Sequence, residues 1–269
     1  MWKPSLGFIV PVISLGTLMF LVLPVIIVVP MSFSGAQSLE FPPPSLSFQW
    51  YRALIETDIW IEAGTNSVIL AFASSTLALV IGTMGAYVLA RGRFRFRATL
   101  ETNIIAPMIV PQIITAVALY IFFARIGLLG TFPGLILGHT VLVTPYVVLI
   151  MQSAIQAFDH RIEQVAMTLG AGRLTILTKI TLPNIAPSAA AAWIFSFVLS
   201  FDEVVITVFV SGPNLTIPKR MFNELMIQVN PTITAVATLL IAFNLLTLGL
   251  LIWLSRTRGL TIGGFGDKQ

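Results

Sequence analysis

The sequence predicts an all-α membrane protein, a single bundle of six spanning helices with one long helical loop on its inner side. Three observations carry that reading. Of the 269 residues, 57% are hydrophobic and 10% charged, with a mean hydropathy of +0.94, whereas a soluble domain is about 25% charged. Six apolar stretches approach or exceed the roughly 20 residues that about 30 Å of hydrocarbon requires. Lysine and arginine gather on alternate sides of those stretches. Cysteine is absent, so neither disulfides nor thiolate metal sites are available.

The first stretch, Leu6 to Met31, is followed by SerGlyAla at 34–36, small residues that a signal peptidase would accept. Its apolar run far exceeds the roughly 7–15 residues of a secretory signal, so a retained helix is expected. A polar outer segment follows, with ProProPro at 42–44 and TrpTyr at 50–51 suited to the interface. The remaining spans are expected over Ala63 to Ala90, Ile104 to Phe123, Pro133 to Ile155, Ser188 to Val210 and Thr232 to Leu254. Prolines 11, 24, 107, 111 and 145 interrupt these runs, which neighbouring helices or cavities can accommodate.

With the N-terminus inside, eleven of the fifteen basic residues fall on the inner side, from Lys3 to Arg258 and Lys268, and four on the outer side: Arg52, Arg125, Lys219 and Arg220. Both termini are therefore expected to be cytoplasmic. The run ArgGlyArgPheArgPheArg at 91–97 reads as an orientation anchor, with Phe94 and Phe96 in the interface, in preference to a specific anionic-lipid site or a nucleic-acid contact.

The inner loop, 156–187, has helical periodicity. Ile162, Val165, Ala166 and Leu169 recur at i, i+3, i+4 and i+7, an apolar stripe on a short helix. Gly170 ends that helix. A second run, with Leu174, Leu177 and Ile180 on a common side, reaches LeuPro at 182–183, where proline stops it. Eleven residues of helix extend only about 17 Å, too short to span. The stripe either packs under its own bundle or docks into a separate protein.

Here the chain resembles the ABC importer permeases. Gly170, Ile180, Leu182 and Pro183 stand at the spacing of their cytoplasmic EAA loop. Of the GluAlaAla triplet, whose positions are Gln164, Val165 and Ala166, only Ala166 is kept, and an acid lies one residue early at Glu163. The resemblance implies a six-span type I permease bundle in the bacterial inner membrane. It also implies a coupling helix that fits a groove on a separate ATP-binding subunit, with Glu163, Gln164, Ala166, Gly170, Ile180, Leu182 and Pro183 at or near the joint. No GlyXXXXGlyLys(Ser/Thr) phosphate loop is present, so ATP and its Mg ion are expected on the partner. The chain itself is not expected to be an enzyme.

Residues 196–213, SFVLSFDEVVITVFVSGP, further resemble the polyamine, opine and phosphonate branch, above all the spermidine/putrescine permease subunits. This implies two related permease chains, two copies of the ATPase and one extracytoplasmic binding protein. Physically, an acid at mid-helix costs about 2.5–3.5 kcal/mol, so Asp202 and Glu203 should face a partner or a wet path. Either at least one carboxylate draws a cationic substrate, or both pair with Lys219, Arg220 or a base on the companion chain. In a continuous helix the two acids would point about 100° apart. Phe201 beside them could stack on an alkylammonium. A carboxylate favours diamines and polyamines and repels phosphonates, while opines carry both charges.

Asn66, Asn103 and Asn244 are expected to join helices, and His139 and His160 stand alone, with no metal site. A secondary transporter, the rival class, would show internal repeats and its own coupling-ion site. No repeat is visible, and the acids sit on one span. A membrane enzyme would need a paired catalytic set, which two histidines and eleven acids do not offer.

Overall fold

The computed structural model describes residues 6–227 and 230–257; Lys3, Arg258 and Lys268 lie outside them. The described residues form helices α1 (Leu6–Ser32), α2 (Gln49–Glu56), α3 (Asp58–Arg91), α4 (Arg97–Ile109), α5 (Gln112–Ile126) and α6 (Phe132–Ala157). There follow α7 (His160–Thr168), α8 (Arg173–Ile176), a π-helical turn at Leu177–Thr181, α9 (Leu182–Asn184) and α10 (Ala186–Phe201). The chain continues through α11 (Val205–Val210), α12 (Ile217–Ile227) and α13 (Thr232–Thr257). Four helices, α1, α3, α6 and α13, are long and apolar enough to cross a membrane. The number reaches six if each of two bent pairs is one span: α4 with α5, bent by 106°, and 173–184 with α10, bent by 80°.

Two predicted spans are not single helices. The stretch from Ile104 to Phe123 is divided at Val110, which has φ −71° and ψ 133°. The following Pro111 disfavours helical backbone at the residue before it, and Pro111 itself opens α5. The stretch from Ser188 to Val210 is divided at Asp202–Val204, between α10 and α11. By contrast Pro11, Pro24, Pro30, Pro107 and Pro145 lie within helices.

Contacts divide the chain into two units. In the first (1–61 and 221–244), the end of α1 meets α2 through a hydrogen bond of 2.7 Å between the Ser32 and Tyr51 hydroxyls. The Phe33 ring packs on those of Phe48 and Tyr51, with centroids 5.4 and 5.2 Å away. Most of the described α1 side chains are exposed apolar groups, as a lipid-facing helix requires. Asn230 caps α13, its Oδ1 accepting from the Thr232 amide and hydroxyl at 2.9 and 2.8 Å.

The second unit (62–220 and 245–269) has two apolar clusters. One joins Ala78, Ala86 and Leu89 of α3 to Val143, Val147 and Met151 of α6 and Ala192 of α10. The other joins Leu70, Phe123, Leu135, Ile206 and Val210. At the turn after α11, Gly212 has φ +55°, and a Cβ there would lie 2.6 Å from the Gly130 Cα. Only glycine allows both that backbone and that approach. Lys219 secures the same turn, its Nζ donating to Ser211 Oγ at 2.7 Å and to the Gly212 carbonyl at 2.6 Å. Asn66 does join two segments, donating to the Leu215 carbonyl at 3.0 Å. Asn103 instead bonds the Thr99 carbonyl of its own helix at 2.8 Å, because an amide one turn along reaches its own backbone first.

Candidate functional site

The predicted site residues fall into two groups at opposite ends of α10, whose 16 residues span about 24 Å. At its N-terminal end lies the 156–187 loop. Asp159 caps α7, accepting from the Arg161 amide at 2.9 Å. The helix ends as a Schellman turn: the Gly170 amide donates to the Met167 carbonyl and the Ala171 amide to the Ala166 carbonyl, both at 3.0 Å. Gly170 has φ +86°, and a Cβ there would meet nothing within 4 Å. Its need for glycine within this chain is therefore conformational.

The apolar stripe divides. Ile162, Val165 and Leu169 are 48, 59 and 83% exposed, whereas Ala166 is buried. Facing inward with Ala166 is Glu163, 1% exposed. Its carboxylate accepts from Arg91 Nε at 3.1 Å, His160 Nδ1 at 3.1 Å and Thr181 Oγ1 at 3.0 Å. The Arg91 Nη2 also donates to the Phe158 carbonyl at 2.8 Å. Glu163 thus ties α7 to the end of α3 and to the π-helical turn, and the expectation of an isolated His160 is corrected. Gln164 remains exposed.

The second run also departs from expectation. Leu174 is exposed and Leu177 buried, and the π-helical turn that follows changes the helical register before Ile180. Pro183 does not stop the helix at once; it follows the π-helical turn within a continuous helical run. The bend comes at Ile185, with φ −101° and ψ 13°. Leu182 packs on the α3–α6 cluster.

At the other end of α10, Asp202 is the C-cap, its amide bonded to the Val198 carbonyl at 3.1 Å, and its side chain is exposed. Glu203 is buried and caps α11: its Oε1 accepts from the Ile206 amide at 2.7 Å. Its Oε2 accepts from Gln112 Nε2. The adjacent acids therefore have different surroundings, which the break imposes. Phe201 is buried and stacks on Phe197, with centroids 5.9 Å apart at 14°. Trp193 continues the row at 5.4 Å from Phe197 and donates to Thr76 Oγ1 at 3.0 Å.

His139 is not isolated. Fully buried on α6, it bonds Ser200 Oγ of α10 through Nδ1 and Thr207 Oγ1 of α11 through Nε2, both at 2.9 Å. Ser200 also bonds Ser74 of α3 at 2.8 Å, and Thr207 donates to the Glu203 carbonyl at 3.0 Å. One imidazole clasps both sides of the break. Gln112, Ser74, Ser200 and Thr207 were not among the predicted site residues. The available signal was Ser196 and Ser200 four apart on an apolar helix, with Thr207 beyond the acids.

Residues 78–258 match the family model described as "Binding-protein-dependent transport system inner membrane component". The chain is 36% identical over 228 residues to the spermidine/putrescine transport system permease protein PotC of Haemophilus influenzae, covering 84% of this chain and 88% of that one. It is 35% identical over 230 residues to the putrescine transport system permease protein PotI of Escherichia coli K12, covering 82% of each. A bacterial ABC transporter involved in import of the acidic polysaccharide alginate shares the fold, with a TM-score of 0.74 at 16% identity over 94% of this chain and 98% of that one. The MetNI methionine ABC transporter gives 0.58 at 17% identity, over 75% and 93%. The chain is a member of the binding-protein-dependent ABC importer permeases of bacteria, a multi-pass membrane subunit that leaves ATP hydrolysis to another protein.

Proposed function

We propose that this permease forms half of the translocation path for a polyamine such as spermidine or putrescine, with Asp202 presented to the substrate ammonium groups and Glu203 holding the break that presents it. The observation that carries the reading is the division of the acidic pair, Asp202 exposed and Glu203 buried beneath the α11 amides. A carboxylate in a low-dielectric path attracts a cation far more strongly than one in bulk water. The names of the 34–36% identical relatives support the same cargo class. Phe197 and Trp193, half-buried in the row that continues from the buried Phe201, supply ring faces suited to alkylammonium groups.

In this reading the chain spans the inner membrane six times with both termini cytoplasmic. A companion permease completes the path, and an extracytoplasmic binding protein delivers substrate. Two ATPase copies drive the cycle, and the 156–187 loop engages one of them through the exposed face of α7 and the Gly170 turn. Gln164 lies on that face, while Ala166, Ile180, Leu182 and Pro183 shape the segment behind it. The test is uptake of labelled putrescine and spermidine by cells carrying Asp202→Asn or Glu203→Gln. Asp202→Asn should abolish uptake while the complex still assembles. Glu203→Gln keeps an acceptor for the Ile206 amide and should retain most of it. Unchanged uptake in Asp202→Asn would overturn the assignment.

A further inference from the structure

A hollow of about 750 Å³ opens between the last turns of α3 and the α7–α8 segment. Met84, Val88, Phe94, Met167, Leu174 and Leu177 give it apolar walls. Three arginines, Arg91, Arg93 and Arg173, stand among its lining residues, where Glu163 is the one acid among the described residues. That acid is already engaged by Arg91, His160 and Thr181, which leaves the exposed Arg93 and Arg173 as the cationic character of the hollow. Arg95 and Arg97, from the same basic run, do not line it.

We propose that this hollow is a binding site for one anionic phospholipid, with Arg93 and Arg173 holding the phosphate and an acyl chain lying along Met84, Val88 and Leu174. Cationic groups beside apolar walls on a spanning helix match a molecule that is charged at one end and greasy at the other. Basic pockets among spanning helices on the cytoplasmic side bind such headgroups. The volume suits a headgroup, its glycerol and the start of a chain, within the usual range of about 300–1,000 Å³ for ligand pockets. The inference rests on the cytoplasmic placement of this face in the proposed function. It assigns a distinct role to two arginines that the charge pattern alone groups with the others. A lipid seated there would touch both sides of the Glu163 tie, and so would bear on the stiffness of the coupling segment.

The test uses the assembled transporter in phosphatidylcholine nanodiscs, with phosphatidylglycerol titrated in and bound lipid counted by native mass spectrometry. Each basic side chain near the surface contributes about fivefold in affinity. Arg93→Gln with Arg173→Gln should therefore weaken phosphatidylglycerol retention about 30-fold. Arg95→Gln with Arg97→Gln, which removes the same charge from outside the hollow, should weaken it clearly less, by no more than the general attraction of a basic surface. Equal losses in the two double variants would reduce the effect to general surface charge and overturn the site. Retained lipid in the first double variant would do the same, as would loss of ATPase copies without loss of lipid, which would make the hollow a protein-binding face. No polyamine is present, so an error in the cargo leaves this result intact. An impermeant thiol reagent on an Arg93→Cys variant reports the side of the membrane separately.

Discussion

Gly170 allows the coupling turn to be tested with its magnitude set in advance. Its φ of +86° is a left-handed conformation, which costs a residue bearing a Cβ roughly 1–2 kcal/mol, and Asn or Asp less because their side chains bond locally. No steric cost adds to this within the chain, since a Cβ at Gly170 meets nothing within 4 Å. Gly170→Ala should thus shift the turn toward other conformations by about 5- to 30-fold, and β-branched Gly170→Val further. Gly170→Asn should lie near the wild type. Gly170→Asp has nearly the shape of Asn but adds a charge at the C-terminal end of α7, which costs about 0.3–1 kcal/mol against the helix dipole, so a loss beyond that reports a surface outside this chain. The assay is ATP hydrolysis stimulated by substrate-loaded binding protein in reconstituted transporter, with assembly checked by copurification. The expected order of coupling is Gly, Asn, Ala, Val, with Asp well below Asn though fully inserted. Full coupling in the Val or the Asp variant would refute the reasoning.

Glu163→Ala should destabilise the subunit by about 3 kcal/mol, because it strands the Arg91 guanidinium with only the Phe158 carbonyl. Thermal unfolding of Glu163→Ala, Arg91→Ala and the double variant should show strong non-additivity, and simple addition would deny the tie. His139→Leu removes two hydrogen bonds worth about 0.6 kcal/mol each inside a membrane. Its unfolding should fall by about 1 kcal/mol and be non-additive with Thr207→Val; additivity would mean that the imidazole does not clasp α11.

Features set by neighbours in the chain were legible in the sequence. The end of α7 at Gly170 was readable because a Schellman turn needs only a left-handed residue at one place, whereas the bend at Val110 was not singled out, since Pro111 stood beside four prolines that lie within helices. The break at Asp202–Val204 was not readable. Residues 196–210 have no proline or glycine, and apolar residues continue on both sides of the Asp202–Glu203 pair; what divides them is the Glu203 carboxylate turning to cap α11, a contact completed by Gln112 from 91 positions away. The same holds for Glu163 and Arg91, 72 positions apart, and for His139 with Ser200 and Thr207. Periodicity identified an apolar stripe on α7 but could not tell that Ala166 faces inward. That depends on Glu163 drawing its side of the helix toward Arg91, and pairing between distant residues is decided by packing.

The docking of α7 to a separate ATPase is tested most directly by attaching a photoreactive maleimide to a cysteine at Leu169, since the chain has no cysteine of its own. Leu169 is 83% exposed at the end of α7. Illumination of the assembled transporter should yield an adduct of this chain with the ATP-binding subunit, and the buried Ile176→Cys should yield none. An adduct at Leu169→Cys confined to this chain or to its companion permease would contradict the docking of that helix.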